Sequence, residues 1–130
     1  MAGREPGILA YARETPIGWC AIEPRESYPS LERSNILKRV DDSPVWSVTC
    51  FYIPRRYRHH GLAGQLLKAA IRFARQRSAE IVEGYPIDSG GEKKNTVSIF
   101  TGLASTFTEA GFVEVERRAP TRPIMRCFLE

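Results

Sequence analysis

The sequence predicts a mixed α/β fold, one domain spanning residues 1–130 around a central sheet, and three observations carry that reading. Short apolar runs rich in β-branched and aromatic residues alternate with two helical patterns. One of these junctions, Val45 to Arg77, joins an apolar run to a long amphipathic helix through a basic turn and a small-residue segment. A chain of 130 residues is also large enough for a single core and too short for two ordinary domains.

Taken in order, Gly7 to Ala12 reads as a strand. A turn around Arg13–Pro16 returns the chain into a second strand, Ile17 to Ile22, making a hairpin. Glu23 to Asp42 is polar and irregular, with a short helix near Ser30 to Ser34. Val45 to Ile53 is a central strand. The long helix covers Leu62 to Arg77, where Leu62, Leu66, Ala70 and Phe73 recur at three- or four-residue steps with Leu67, Ile71 and Ala74 beside them. Its opposite face carries Lys68, Arg72, Arg75 and Arg77. Glu80 to Ile87 is the next strand, and Asp88 to Asn95 reads as a flexible loop from its glycines and charges. A second helix fits Ser98 to Ala110, with Gly111 as its stop. Phe112 to Arg118 and Ile124 to Leu129 are the final strands.

The strand–loop–helix junction has the chemistry of an anion site. Backbone N–H groups converge there with the positive end of a helix dipole behind them. The first helical turn, Leu62 to Gln65, has no acidic residue, and Arg55, Arg56, Arg58, His59 and His60 lie just upstream. Gly61 and Gly64 lack a Cβ, so a pyrophosphate could approach the backbone. The plainer alternative is a core helix with a solvated basic face behind an ordinary loop.

Composition narrows the function classes. No apolar run approaches a membrane span, and the start of the chain lacks a signal-peptide pattern. Cys20, Cys50 and Cys127 are odd in number and far apart, which reads as free thiols in a reducing compartment; the expected location is the cytoplasm. No Cys-x-x-Cys or spaced His pair exists, so no metal site is expected, and the adjacent His59 and His60 cannot share one helix face. Neither a P-loop nor a dinucleotide-binding glycine motif is present. The net charge of +4 suits an anionic ligand and would equally suit weak nucleic-acid contact.

The spacing Arg58-x-x-Gly61-x-Ala63, set between that strand and that helix, resembles the acetyl-CoA site of the GNAT superfamily of N-acetyltransferases. The element order from about Ile8 onward is similar to that superfamily's common core, and the Glu109-Ala110-Gly111-Phe112 junction resembles its helix-to-strand step. Gly18-Trp19-Cys20, Pro24-Arg25, Glu83-Gly84-Tyr85-Pro86 and Arg122-Pro123-Ile124-Met125-Arg126 look most like an uncharacterised bacterial group within it. The resemblance implies a cosubstrate, acetyl-CoA. The backbone of Phe51, Tyr52 and Ile53 would pair with its pantetheine arm like an added strand. Amides of Arg58, His59, His60, Gly61, Leu62, Ala63 and Gly64 would hold its pyrophosphate, and a splay between the Val45–Ile53 and Glu80–Ile87 strands would admit the thioester. The implied reaction is attack by an amine on the thioester, which needs a base, oxyanion donors and an acid for the thiolate.

Two departures from the family pattern bear on catalysis. Many members place a Tyr five residues before the Phe of the Gly-Phe step; here that residue is Phe107, which has no proton to donate. Tyr85 is the first substitute as acid, with Ser105 behind it, and Glu83 and Asp88 are candidate bases; plain packing, strand and turn roles compete for each. The hairpin also starts almost at Met1, leaving no room for the strand and two helices that usually precede it, so the chain reads as N-terminally shortened, as started downstream, or as walled by a partner. An unpaired sheet edge would favour a homodimer. Trp19, Glu23, Arg25, Tyr28 and Arg33 become the nearest candidates for the acceptor pocket, against packing and solvation as the ordinary roles. The expected function is N-acetylation of a primary amine on a small molecule or a protein. The alternative is a catalytically inactive CoA-binding module, or a basic nucleic-acid-binding one using Arg55, Arg56, Arg58, Arg72 and Arg75. Only Tyr57 lies among those basic residues to stack on bases, which favours the enzyme.

Overall fold

The computed structural model describes residues 7–12, 15–54, 61–88 and 99–129. They form a seven-stranded sheet with three α-helices. β1 (Gly7–Ala12) and β2 (Thr15–Pro24) make the expected hairpin. A 3-10 turn (Arg25–Ser27) and α1 (Pro29–Arg33) follow, then β3 (Trp46–Tyr52), α2 (Leu62–Gln76) and β4 (Ile81–Gly84). β5 (Ile99–Phe100), α3 (Ala104–Glu109), β6 (Val113–Arg117) and β7 (Pro123–Phe128) complete the order. The strands lie in the order β1-β2-β3-β4-β7-β6, with β5 added to β3 beside β4. Only β3 and β4 run parallel among the paired strands, as a strand–helix–strand crossover requires.

The predicted second helix is shorter than its pattern. Gly102 adopts φ +94 and Leu103 is extended at the N-cap, so α3 begins at Ala104. The two residues Ile99 and Phe100, read from sequence as part of the Ser98–Ala110 helix, instead join the sheet. The Glu80–Ile87 strand also ends early, at Gly84; Ile87 makes only an isolated bridge to Leu103. Most of the predicted loop at 88–95 and part of the hairpin turn lie outside the described residues.

Each sheet face has its own cover. On one side α2 buries Leu62, Leu66, Leu67, Ala70, Ile71 and Ala74 against Cys20, Ile22, Val48, Phe51 and Val82, and α3 adds Phe107. At about 1.5–3 kcal/mol for each fully buried large aliphatic side chain, this stripe is the main stabilisation of the helix. The polar segment between β2 and β3 covers the other side. Leu31 packs there with Tyr85 and Ile124, bordered by Tyr28, Leu37, Val40 and Val115. Strand alternation sends Val82 and Gly84 toward the helices and Glu83 and Tyr85 toward this second cover. Cys20 is buried, Cys50 and Cys127 are half-buried, and all three are free thiols.

Candidate functional site

The site begins with an irregularity in β3. Ala21 of β2 stands opposite Cys50, but the next residue, Ile22, stands opposite Val48, so Thr49 is an extra residue on β3. Such a bulge bends its strand and sharpens its twist. The pairing of β3 with β4 then stops at Val48 and Gly84. Beyond that point the free edge of β3 pairs instead with β5, Phe51 opposite Phe100 and Tyr52 opposite Ile99. The backbone edge that could hold an extended ligand therefore carries a two-residue strand in this structure.

Phe107 sits at the same junction. It is fully buried and packs edge-on against Phe51 and Phe112, with ring centroids 6.1 and 4.8 Å away. Its ring fits because two neighbours are glycine. A Cβ on Gly84 would lie 2.1 Å from the Phe107 ring, and one on Gly102 would lie 2.8 Å from it. The residue that replaces the usual Tyr thus serves as a core wedge where β4 ends.

At the start of α2, Gly61 is the N-cap at φ 75 and ψ 11, in the left-handed region that disfavours a side chain. No acidic residue lies in the first turn. Gly61, Ala63, Gly64, Gln65 and Lys68 line a cleft of about 330 Å³ bordered on its far side by Thr106 and Glu109 of α3 and by Ala110 just after it. A helix N-terminus, a lysine and small residues along one wall fit a phosphate-bearing chain. Leu62, the buried member of this turn, points into the core. Arg58, His59 and His60 lie outside the described residues.

On the opposite face, several candidates meet in one buried cluster. Arg25, placed by the 3-10 turn after β2, is 2% exposed, Glu83 is 1% exposed and Tyr85 is 2% exposed. The Arg25 Nη1 donates to Glu83 Oε1 at 3.0 Å and to the Tyr85 hydroxyl at 2.9 Å. Tyr85 donates its own proton to Glu83 Oε1 at 2.6 Å, and Ser47 of β3 lies 2.7 Å from the Tyr85 oxygen. Arg126 of β7 donates from Nε to Glu83 Oε2 at 2.7 Å and clasps the Asp41 carboxylate at 3.0 and 2.9 Å. The second Arg25 amino group reaches Glu32 at 3.1 Å and the Leu37 carbonyl at 2.8 Å. Both Glu83 oxygens are thus occupied by guanidinium donors, and the charges alternate along the chain of contacts.

These contacts set the protonation states. Burial, then the Glu83 charge, push the Tyr85 hydroxyl far above the usual tyrosine range. Desolvation pulls the Arg25 guanidinium down, but its Glu32 bond and the neighbouring Tyr85 oxygen and Glu83 carboxylate outweigh that, and the net shift is upward. The Arg126 bond, with a Ser43 backbone N–H behind it, holds Asp41 well below the usual carboxylate range. A tyrosine of this kind stays protonated, with its O–H donated to Glu83.

The remaining predicted residues scatter. Asp88 is half-buried beyond the end of β4, with its carboxylate 2.9 Å from Arg117 Nη2. Ser105 is exposed on α3. Trp19 is half-buried on β2, opposite Tyr52. Tyr28 is half-buried at the edge of the second cover, where burial pushes its hydroxyl up to about 12. Ile53 is buried just past β3. Sequence reasoning passed over Ser47, Asp41 and Arg126. The signal available was a charge in mid-strand: Arg126 lies between Met125 and Cys127, as Glu83 lies between Val82 and Gly84. Among the described residues, no group of His, Cys, Asp and Glu is placed to hold a metal ion, and no helix is long and apolar enough to cross a membrane.

This geometry can be set beside known proteins. No curated protein matches the chain. Among solved structures, the PaiA N-acetyltransferase of Thermoplasma acidophilum, crystallised with coenzyme A, superposes with a TM-score of 0.56 at 17% identity, over 93% of this chain and 58% of that one. A GNAT-family acetyltransferase from Streptococcus pneumoniae gives 0.61 at 16% identity, over 99% and 70%. A ribosomal-protein-alanine N-acetyltransferase from Brucella melitensis gives 0.58 at 15% identity, over 93% and 67%. The chain thus spans 58% of the length of the first of these and about two thirds of the last. At such identities the likeness shows the fold, a mixed α/β acyltransferase-type sheet. The family model described as "Acetyltransferase (GNAT) family" matches residues 2–85, well over half of the chain, and with the bulged β3, the parted strands and the acid-free start of α2 inside that span, the chain belongs to the GNAT acetyltransferase family.

Proposed function

We propose that the protein binds acetyl-CoA along the junction of β3, α2 and α3 and transfers the acetyl group to a primary amine. The observation that carries this reading is the end of β3–β4 pairing at Val48 and Gly84, one residue before the Thr49 bulge and beside the cavity at the start of α2. Acetyl-CoA supplies the activated acyl group as a thioester; the protein supplies alignment and charge. Amides of the first turn of α2, with Lys68 along the cavity, take the phosphates. The β5-bearing edge of β3 at Phe51 and Tyr52, with Ile53 just past the strand, takes the pantetheine arm, and one strand edge cannot pair twice. Ile99–Phe100 must therefore leave that edge as the cosubstrate enters.

Glu83 and Tyr85 then act as positioning groups. Both are sealed under the segment after β2, and the Tyr85 O–H already donates its hydrogen bond to Glu83. Together with Arg25 and Arg126 they fix the strand ends that flank the parting. Asp88, half-buried and beyond the end of β4, is the better placed of the two carboxylates to take the amine proton, through water. A thermal-shift titration with acetyl-CoA, CoA and ATP tests the reading. A saturable rise with both CoA forms and not with ATP is expected. A flat response to acetyl-CoA at millimolar concentration overturns it.

A further inference from the structure

Six arginines among the described residues are buried or half-buried: Arg25, Arg39, Arg117, Arg118, Arg122 and Arg126. Five of them have a carboxylate partner. Arg25 and Arg126 share Glu83, Arg39 binds Glu32, Arg117 binds Asp88 and Glu114, and Arg118 lies 3.9 Å from Glu116. Arg122 has none. Its Nη2 donates to the Tyr85 carbonyl at 3.1 Å, and its Nε is buried without a hydrogen-bond partner.

A guanidinium in water needs no partner, but one whose Nε is shut off from solvent has lost hydration; the Arg25 Nε is buried in the same way, yet that guanidinium has Glu32 and Glu83 beside it and Arg122 has no such charge to balance its own. Desolvation alone accounts for the downward shift of the Arg122 pKa, with no nearby acid to oppose it. The position is as informative as the chemistry. Tyr85 is the first residue after the last β3–β4 pair, so the guanidinium is moored at the mouth of the parting. The β6–β7 turn that carries it is tied to the same place by the Asp88 N–H, which donates to the Thr121 carbonyl at 2.9 Å. The pyrophosphate cavity lies instead between α2 and α3, on the face toward which Gly84 points.

We propose that Arg122 is a specificity-determining residue that receives a carboxylate carried by the acceptor amine. This rests on the acetyltransferase reading above. The two neighbouring guanidiniums are already used: Arg117 on Asp88 and Glu114, and Arg118 on Glu116 and on the carbonyls of Ile36, Lys38 and Arg39. One unbalanced positive charge matches a monoanionic carboxylate better than a phosphate dianion.

Two measurements on the intact chain test this. In the first, the Arg122 Nε–H signal, assigned by its absence in Arg122→Gln, is followed during titration with sodium acetate and, separately, sodium chloride and inorganic phosphate. A saturable shift with acetate at millimolar concentration is expected. An Nε signal that acetate does not move, or that phosphate moves and acetate does not, overturns the proposal. In the second, acetylation of amino acids is compared with that of their amides. The carboxylate form should be favoured by about tenfold or more in kcat/KM, mostly through KM, with the preference lost in Arg122→Gln and partly kept in Arg122→Lys. Turnover with equal preference for acid and amide overturns the proposal while leaving acetyl transfer standing. Failure of acetyl-CoA to stabilise the protein would instead remove the acetyltransferase reading, and the acetate titration reads Arg122 without it.

Discussion

Replacing Glu83 separates a buried structural carboxylate from a catalytic one. Its side chain is 1% exposed and accepts from Arg25 at 3.0 Å, Tyr85 at 2.6 Å and Arg126 at 2.7 Å. Removing one member of a buried ion pair costs about 3–5 kcal/mol, because the abandoned charge stays dry. Here the abandoned charges keep some support. Arg25 retains Glu32 and the Leu37 carbonyl, and Arg126 retains Asp41. The low end, about 3 kcal/mol for Glu83→Ala, is therefore expected. For a chain of this size that is a fall in Tm of roughly 10–15 °C. Glu83→Gln keeps the shape, but places an amide either without charge before Arg25 or with a donor facing the Arg126 Nε, and should lose about 1–3 kcal/mol. The assay is urea unfolding for both variants, paired with acetylation rates measured well below each midpoint. If Glu83→Gln unfolds like the wild type yet loses turnover, Glu83 works on the substrate and the positioning argument fails.

Four further outcomes are expected. Gly84→Ala should cost about 1–3 kcal/mol in urea unfolding, since its Cβ would meet the Phe107 ring at 2.1 Å, and adding Phe107→Leu should recover part of the loss. The double variant Ile99→Pro with Phe100→Pro removes the donors of β5, so calorimetry should find tighter acetyl-CoA binding than in the wild type; weaker or equal binding would argue that β5 supports the site rather than competing for it. Asp41 and Glu32 have pKa values lowered by Arg126 and Arg25, so their contribution is present above the unfolded carboxylate range near pH 4 and is lost as pH falls through the lower folded values. Asp41→Asn should accordingly be less stable than the wild type near neutrality, and the two stability–pH curves should converge as pH falls below about 4. Burial raises the Cys20 thiol far above its ordinary value, so at pH 8 Cys20 should resist alkylation in the native state and react once unfolded, as mass spectrometry would show.

The parts of this protein legible in the sequence are those written in local pattern. The α2 stripe from Leu62 to Ala74 and the apolar run of β3 specify their own secondary structure, and Gly61 marks the turn between them. β5 and the shortened α3 were not legible, because the Ser98–Ala110 pattern suits a helix locally. The backbone at Gly102, held against Phe107 and Phe51, decides otherwise through tertiary contact. The site divides along the same line. Arg25, Glu83 and Tyr85 could each be singled out as candidates, yet their union depends on register: Ser47 opposite Glu83 on β3, and Arg126 opposite Glu83 on β7. Residues 58 and 43 positions apart become hydrogen-bond partners only once that register is set. Burial then reverses the role that residue type suggests. A tyrosine and a glutamate at a strand end read as acid and base when taken as exposed. Under the segment that follows β2 they become a bonded pair whose hydrogen bonds tie β3, β4 and β7 together. Arg122 shows the converse. In sequence it is one basic residue among many; among the described residues, each other buried or half-buried arginine has a carboxylate beside it and Arg122 does not.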